Sequence, residues 1–323
     1  MSPSSTSRGD GSTTWPWMKN AKSRLEDPIP PVDEHDKRST VQELIRKYHK
    51  TIVKLRDKLK EDPLYRPTKH DDLWILRFLL SHGWHHHKAL EAAKATLSFR
   101  QEYRLDEKDI RFIHLNPASL LEVAKQKGHP ISKFASSAEK MMSCYSADDT
   151  MVYYKTPDDR RSIIGFLRLA ERNQRDMAQR LSEQDFFEAH LFFSEWKFQW
   201  VDYHTRTTGR LTKYLNVTDC ANIHLNMLDK DCKKLDANAA KRMENQYPQL
   251  LGNMAVIHAP TWIHMVFVMA KPILPTRLLS KVSLISPQKH KKDLHVLLEY
   301  CAEEHLPVRY GGKLETWPPP SNF

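Results

Sequence analysis

Histidines, cysteines and carboxylates are the side chains here that could hold a metal or activate a nucleophile, and their spacing argues against both. The densest imidazole group is His82 with His85-His86-His87. Consecutive helical residues project in different directions, so such a run seldom converges on one ion; solvated residues at a helix start are the simpler reading. Cys144, Cys220, Cys232 and Cys301 are far apart and form no C-x-x-C pair. They read as reduced thiols, not as a zinc site or disulfide frame. Asp219, His258 and His264 could act as acids or bases, but no motif ties a serine or cysteine to them. A Gly-x-Gly-x-x-Gly turn, a Walker A loop, a Gly-x-Ser-x-Gly elbow and a His-Glu-x-x-His helix are all missing. Only nine glycines occur in 323 residues, which further disfavours phosphate-cradling loops. No catalytic residue, metal ligand or enzymatic activity is expected.

What remains is an unusual apolar arrangement in the C-terminal third. Asn253 to Ala259 is a short apolar run between Gly252 and Pro260, the pattern of a buried strand. Thr261 to Ala270 follows, apolar nearly all round, with Thr261 and His264 as its polar side chains. A helix of that kind must be covered by protein, by lipid or by a membrane surface. A strand feeding such a helix reads as the floor and lid of a hydrophobic cavity.

Composition bounds that idea. Forty per cent hydrophobic and 28% charged residues are ordinary for a soluble globular chain. No apolar run approaches the roughly 20 residues needed to span a bilayer, and the N-terminus lacks the apolar region of a secretory signal. A cytoplasmic protein is expected. A formal charge of +10 suggests an anionic partner. Its basic residues are spread along helical segments, and no nucleic-acid reading element is present. A transient, peripheral contact with an anionic membrane surface fits better than nucleic acid.

Residues 1 to about 31 are rich in Ser, Thr, Gly and Pro, with Trp15 and Trp17 among them, and read as a disordered tail. Val41 to Leu59 has helical spacing with Ser39 or Thr40 as cap, Asp71 to Leu80 opens a second helix, and His87 to Tyr103 a third. Beyond Met151 the pattern changes. Met151–Tyr154 and Ile163–Leu169 read as strands joined across Pro157–Asp159, and an aromatic helix capped by Ser182 and Asp185 runs to about His204. A strand at Tyr214–Asp219, a helix from about Asp236 to Tyr247, the Asn253–Ala259 strand, a strand at Val282–Ile285 and a helix at about Lys291–Cys301 complete the series. Alternating strands and helices predict an α/β fold with a largely parallel sheet.

Several of these segments together resemble the CRAL-TRIO family. Leu76-Arg-Phe-Leu79, Trp84, Ala89-Leu90 and Phe99-Arg100 look like its helical N-terminal part. Tyr247-Pro-Gln-Leu-Leu-Gly252, Val256-Ile-His-Ala-Pro260, Lys271-Pro-Ile-Leu274, Ser280-Lys281 and Leu306-Pro-Val-Arg-Tyr-Gly-Gly312 look like its lipid-binding part. The subgroup it resembles is that of fungal phosphatidylinositol-transfer-like proteins. The resemblance implies a tail over 1–35, a helical domain over 36–115, a lipid-binding domain over 116–314 and a C-terminal tail over 315–323. It implies a monomer that encloses one phospholipid in a hydrophobic cavity, with no other cofactor, and exchanges it between membranes. The gate helix would carry Trp262, Ile263, Met265, Val266, Phe267 and Met269, hinged at Pro260 and at Lys271-Pro272.

Ligand identity is where this chain departs from the family pattern. Phosphatidylinositol-binding members carry a glutamate where Gln249 stands, and a lysine that Lys281 keeps. Their basic pair falls on His82 and Gly83, and a phosphate-holding threonine on Leu278. The small hydroxyl residues of a choline-type site fall on Tyr214 and Asn216. Lipid contact is therefore expected at Tyr214, Asn216, Gln249 and Lys281. Gln249 lacks a charge to pair with Lys281, which leaves that lysine either on the ligand phosphate or on the surface. Other guests stay open: a sterol precursor, a tocopherol-like isoprenoid, or haem with Tyr214, His258 or His264 as axial ligand. So does a membrane-recruited adaptor with a vestigial cavity.

Overall fold

A computed structural model describes residues 39–107, 130–147, 150–155, 163–243, 245–270, 279–285, 295–298 and 302–315. The expected N-terminal tail with Trp15 and Trp17, the Pro157–Asp159 turn, the Lys271-Pro272 hinge, Leu278, Cys301 and all but Glu315 of the expected C-terminal tail lie outside them.

The N-terminal helices are α1 (Val41–Lys47), α2 (His49–Leu59), α3 (Asp72–Ser81) and α4 (His86–Glu102). Thr40 caps α1 in a full capping box with Glu43, which satisfies two of the helix's orphan donors at once. The single helix expected over Val41–Leu59 is in fact two. It breaks at Tyr48, whose ring stacks on Trp84 at 3.8 Å. The apolar period runs on across the break, so no local signal announces it. Asp71 caps α3 by accepting from the Trp74 amide. Every residue of α3 from Leu73 to Ser81 is buried, Arg77 included.

Two further helices stand where no element was expected: α5 (Ala135–Met142) and α6 (Gln174–Arg180), the latter capped by Asn173. The long helix α7 (Glu183–Thr208) has the expected Ser182–Asp185 capping box and ends at Gly209 in the left-handed region. Its Phe186, Phe187, Phe192, Trp196 and Trp200 are all buried. Helix α8 (Lys230–Arg242) starts six residues before the expected Asp236 and stops short of Tyr247. Asp229 caps it through two amides, and its first turns pass for loop because they are so rich in charge. Helix α9 (Thr261–Ala270) has the expected bounds.

Five strands form one sheet: β1 (Met151–Lys155), β2 (Ile163–Arg168), β3 (Tyr214–Asp219), β4 (Leu251–Ile257) and β5 (Val282–Leu284). They lie in sequence order, with β1 antiparallel to β2 and the other pairs parallel. Parallel neighbours need crossovers, which are right-handed almost without exception. A sheet that grows in one direction therefore collects α7, α8 and α9 on one face. The opposite face is closed by the C-terminal segment, where Ile164, Phe166, Leu215, Val217, Ala255 and Ile257 pack with Leu297, Leu306 and Tyr310. Phe166 and Tyr310 stack there at 4.6 Å. Of the expected last helix, a turn at His295–Leu298 is described.

Candidate functional site

The two faces of the sheet are filled very differently. Register sets Gly165, Asn216 and Met254 side by side, and Leu167, Thr218 and Val256 in the next row. This is the face on which Tyr214 packs with the aromatic side chains of α7. Leu167, Asn216, Thr218, Met254 and Val256 are only half-buried, whereas Phe166, Val217 and Ala255 on the other face are 1%, 0% and 2% exposed. The Tyr214 side of the sheet is thus the less tightly filled of its two faces.

A chain of side-chain hydrogen bonds runs along that face. Tyr214 Oη donates to Asn216 Oδ1 at 3.0 Å, and Asn216 Nδ2 donates to Thr218 Oγ1 at 3.1 Å. Alternate residues of a strand share a face, so one strand can carry the whole series. The Tyr214 ring lies across Gly165, where a Cβ would come within 1.9 Å of its hydroxyl oxygen. Burial raises the Tyr214 phenol far above its usual pKa, so it stays a neutral donor. Lys197 of α7 puts its Nζ 4.6 Å from the centre of the same ring.

Gln249 and Lys281 border the same edge of the sheet, just before β4 and β5. Gln249 is 2% exposed, with backbone φ of 63°. Its Nε2 donates to Ser81 Oγ at 2.9 Å, which ties α3 to the start of β4. Its Oε1 is buried and finds no hydrogen-bond partner among the described residues. Lys281 Nζ donates to the Leu251 carbonyl, so it lies half-buried along β4 instead of reaching freely into solvent. The structure thus brings Tyr214 and Asn216 into direct contact and sets Gln249 and Lys281 at the edge beside them.

The far edge carries the root of α9. His258 Nδ1 lies 2.7 Å from Asp219 Oδ1, and Tyr310 Oη donates to Asp219 Oδ2 at 3.2 Å. Burial opposes ionisation of Asp219, but His258, the Ala221 amide and the Tyr310 hydroxyl together outweigh it and hold the carboxyl below its usual range. His258 itself has φ of 53°, a conformation that disfavours any side chain. Beyond it α9 has no fully buried residue among positions 261–269. Trp262, Ile263, His264 and Phe267 are half-buried, while Met265 and Met269 are 58% and 69% exposed, with Val266 and Val268 also exposed. The Nε2 of His264 is buried and unpartnered among the described residues.

The remaining histidines go separate ways. His82 Nδ1 contacts the Phe78 carbonyl at 2.9 Å, and His87 lies 3.4 Å from Glu91. No group of three metal-ligating side chains comes together among the described residues. Tyr214 and His258 stand at opposite ends of the sheet, five strand steps apart on β3 alone, or roughly 16 Å. They cannot share one haem iron. Lys197 escaped sequence reading, although Phe193, Lys197 and Val201 follow one another at the i, i+4 spacing of a single helix face.

A family model described as CRAL/TRIO domain matches residues 148–312, just over half of the chain and all five strands. Patellin-3 of Arabidopsis thaliana is 21% identical over 247 residues, which is 75% of this chain and 42% of that protein. Patellin-4 of the same plant is 22% identical over 250 residues, 75% of this chain and 38% of its own. The CRAL-TRIO domain-containing protein YKL091C of Saccharomyces cerevisiae is 36% identical over 69 residues, 21% of either chain. In each case the match spans less than half of the relative's own length. A solved crystal structure, that of Sfh5, is similar over 95% of both chains at TM-score 0.44 and 10% identity.

Proposed function

The chain belongs to the CRAL/TRIO domain family of lipid-binding and transfer proteins, and on that premise we propose that it carries a single phospholipid, phosphatidylinositol or a relative of it, between membranes without catalysing a reaction. Acyl chains lie on the half-open face of β2, β3 and β4, where Leu167, Met254 and Val256 offer apolar contact. Covering them removes apolar area from water at roughly 25 cal/mol per Å². The headgroup lies toward the edge marked by Tyr214, Asn216, Gln249 and Lys281. Helix α9 closes the space and opens at a membrane, where lipid covers its outer side while the guest exchanges. No helix of the described residues is long and apolar enough to cross a membrane, which suits a peripheral contact. The excess of basic residues favours an anionic leaflet.

The observation that carries this reading is α9: ten residues, apolar throughout apart from Thr261 and His264, with both of its methionines and both of its valines turned to solvent. Such a patch on a lone chain marks a surface made to be covered. Transfer of a fluorescent phospholipid between vesicles tests it. Met265→Asp with Met269→Asp places two charges on the outer side and should slow transfer about tenfold or more, since a charge is costly to bring into an apolar environment. Both positions are exposed, so stability should hold. Transfer at the parent rate would overturn the gate, and native mass spectrometry showing no co-purified lipid would overturn the carrier.

A further inference from the structure

We propose that the cavity selects a lipid whose headgroup is anionic and bears no ammonium, and that Lys197 makes the selection. This rests on the carrier reading above and narrows the guest that the reading allows. Lys197 sits in the inward stripe of α7, one turn from Phe193 and one from Val201, which are 4% and 0% exposed. A lysine in that stripe delivers its charge to the interior. Its side chain nonetheless remains partly exposed. Burial lowers its pKa to about 8, so the amine is still largely protonated near neutral pH.

The ammonium lies over the Tyr214 ring at 4.6 Å. An aromatic face of this kind is how proteins recognise quaternary ammonium groups such as choline. Here the chain's own cation already takes that place, and the ring cannot move toward the sheet because its hydroxyl overlies Gly165. A choline brought to this position would meet a like charge at short range in a poorly screened space. A phosphate or carboxylate would instead gain a charge-assisted hydrogen bond from the amine. Asn216 and Thr218 extend the polar surface from the same point along the sheet face.

The test uses the full-length protein, incubated with vesicles holding equal amounts of dioleoyl-phosphatidic acid, oleate and dioleoyl-phosphatidylcholine, then re-isolated and its bound lipid quantified by mass spectrometry. Phosphatidic acid or oleate should exceed phosphatidylcholine about tenfold or more. Uptake of phosphatidic acid marks a phospholipid phosphate as the anion, and uptake of oleate alone marks a free carboxylate. Lys197→Met keeps the length of the side chain without its charge and should bring the ratio within about twofold, while Lys197→Arg should keep the parent's preference. Equal uptake of phosphatidylcholine by the parent, or an unchanged ratio in Lys197→Met, would overturn the assignment. If Lys197→Met does not fold, the parent's ratio and that of Lys197→Arg still decide. Uptake of none of the three lipids would count against the carrier itself, whereas uptake without discrimination overturns the role of Lys197 alone.

Discussion

Gly165 shows how a single missing atom shapes the sheet face that Tyr214 covers. A Cβ there would meet Tyr214 Oη at 1.9 Å, Cζ at 2.7 Å and Cε2 at 2.8 Å. Tyr214 is 6% exposed and tied to Asn216, so its ring cannot swing aside without losing both packing and its hydrogen bond. Gly165→Ala should therefore destabilise the protein by about 1–3 kcal/mol, the usual range for overpacking a filled site. In a Tyr214→Ala background the ring is gone, and the same substitution should be close to neutral. Urea unfolding of the parent, both single variants and the double variant would measure this coupling. Additive effects would mean that the ring moves freely. Sequence reading picked out Tyr214 and Asn216 but not the glycine, because its partner stands on the next strand. Lys197 was missed for a related reason. Its place in the sequence marks it only as one more charge on α7, and the neighbouring strand shows where that charge points.

At the scale of elements, β4 is bracketed by two side chains in a glycine-like conformation: Gln249 with φ of 63° before it and His258 with φ of 53° after it. Each offsets that strain with a specific bond, Gln249 to Ser81 and His258 to Asp219. The second lies at the root of α9, which makes its energetics relevant to any motion of that helix. His258→Ala and His258→Gly both remove the imidazole, but alanine keeps the left-handed penalty and glycine does not. The glycine variant should therefore be the more stable by about 1 kcal/mol, as read from chemical denaturation. An alanine variant equal to the glycine variant would show that the backbone relaxes once the imidazole has gone. Much at this scale was legible beforehand: the strands β2 to β5, the capping of α7 and the bounds of α9 all follow from apolar runs between breakers. The rest has physical reasons. The break between α1 and α2 comes from Tyr48 stacking on Trp84, a contact between distant segments. The start of α8 is charged because that turn is exposed and leaves few apolar positions to signal a helix. Short helices such as α5 and α6 depend on tertiary packing more than on their own propensity.

The whole molecule is held together where the N-terminal helices meet α7. Arg100 of α4 reaches Glu195 of α7 through two hydrogen bonds of 3.1 and 3.0 Å, and both residues are buried. Arg100 Nε also donates to Asp106 at 2.6 Å, and Gln199 Nε2 donates to Glu195 at 2.7 Å. Burial disfavours the Arg100 cation, but Glu195 and Asp106 outweigh it and raise its pKa still further. Arg77 of α3, also buried, has a looser tie: one bond of 3.2 Å to Asp202, with Nε and Nη1 unpartnered among the described residues. The two arginines therefore differ in kind. Removing Glu195 leaves Asp106 as the carboxylate still bonded to Arg100 and takes the partner from both of its Nη donors, and breaking such a buried pair costs about 3–5 kcal/mol. Replacing Arg77 by methionine removes a charge that was poorly paired and keeps an apolar stem in its place, a change that is often near neutral. Glu195→Ala should thus lower the urea midpoint strongly, and Arg77→Met only slightly. Because the Arg100–Glu195 pair joins the helical cluster around Leu76 to the cluster around Trp196, the parent should unfold in one transition. Trp74 lies in the first cluster and Trp196 in the second, so variants keeping one of these tryptophans at a time can report on each side. Two separate midpoints in the parent background would show that the helical part and the sheet part fold as independent units, and that the buried pair couples them only weakly.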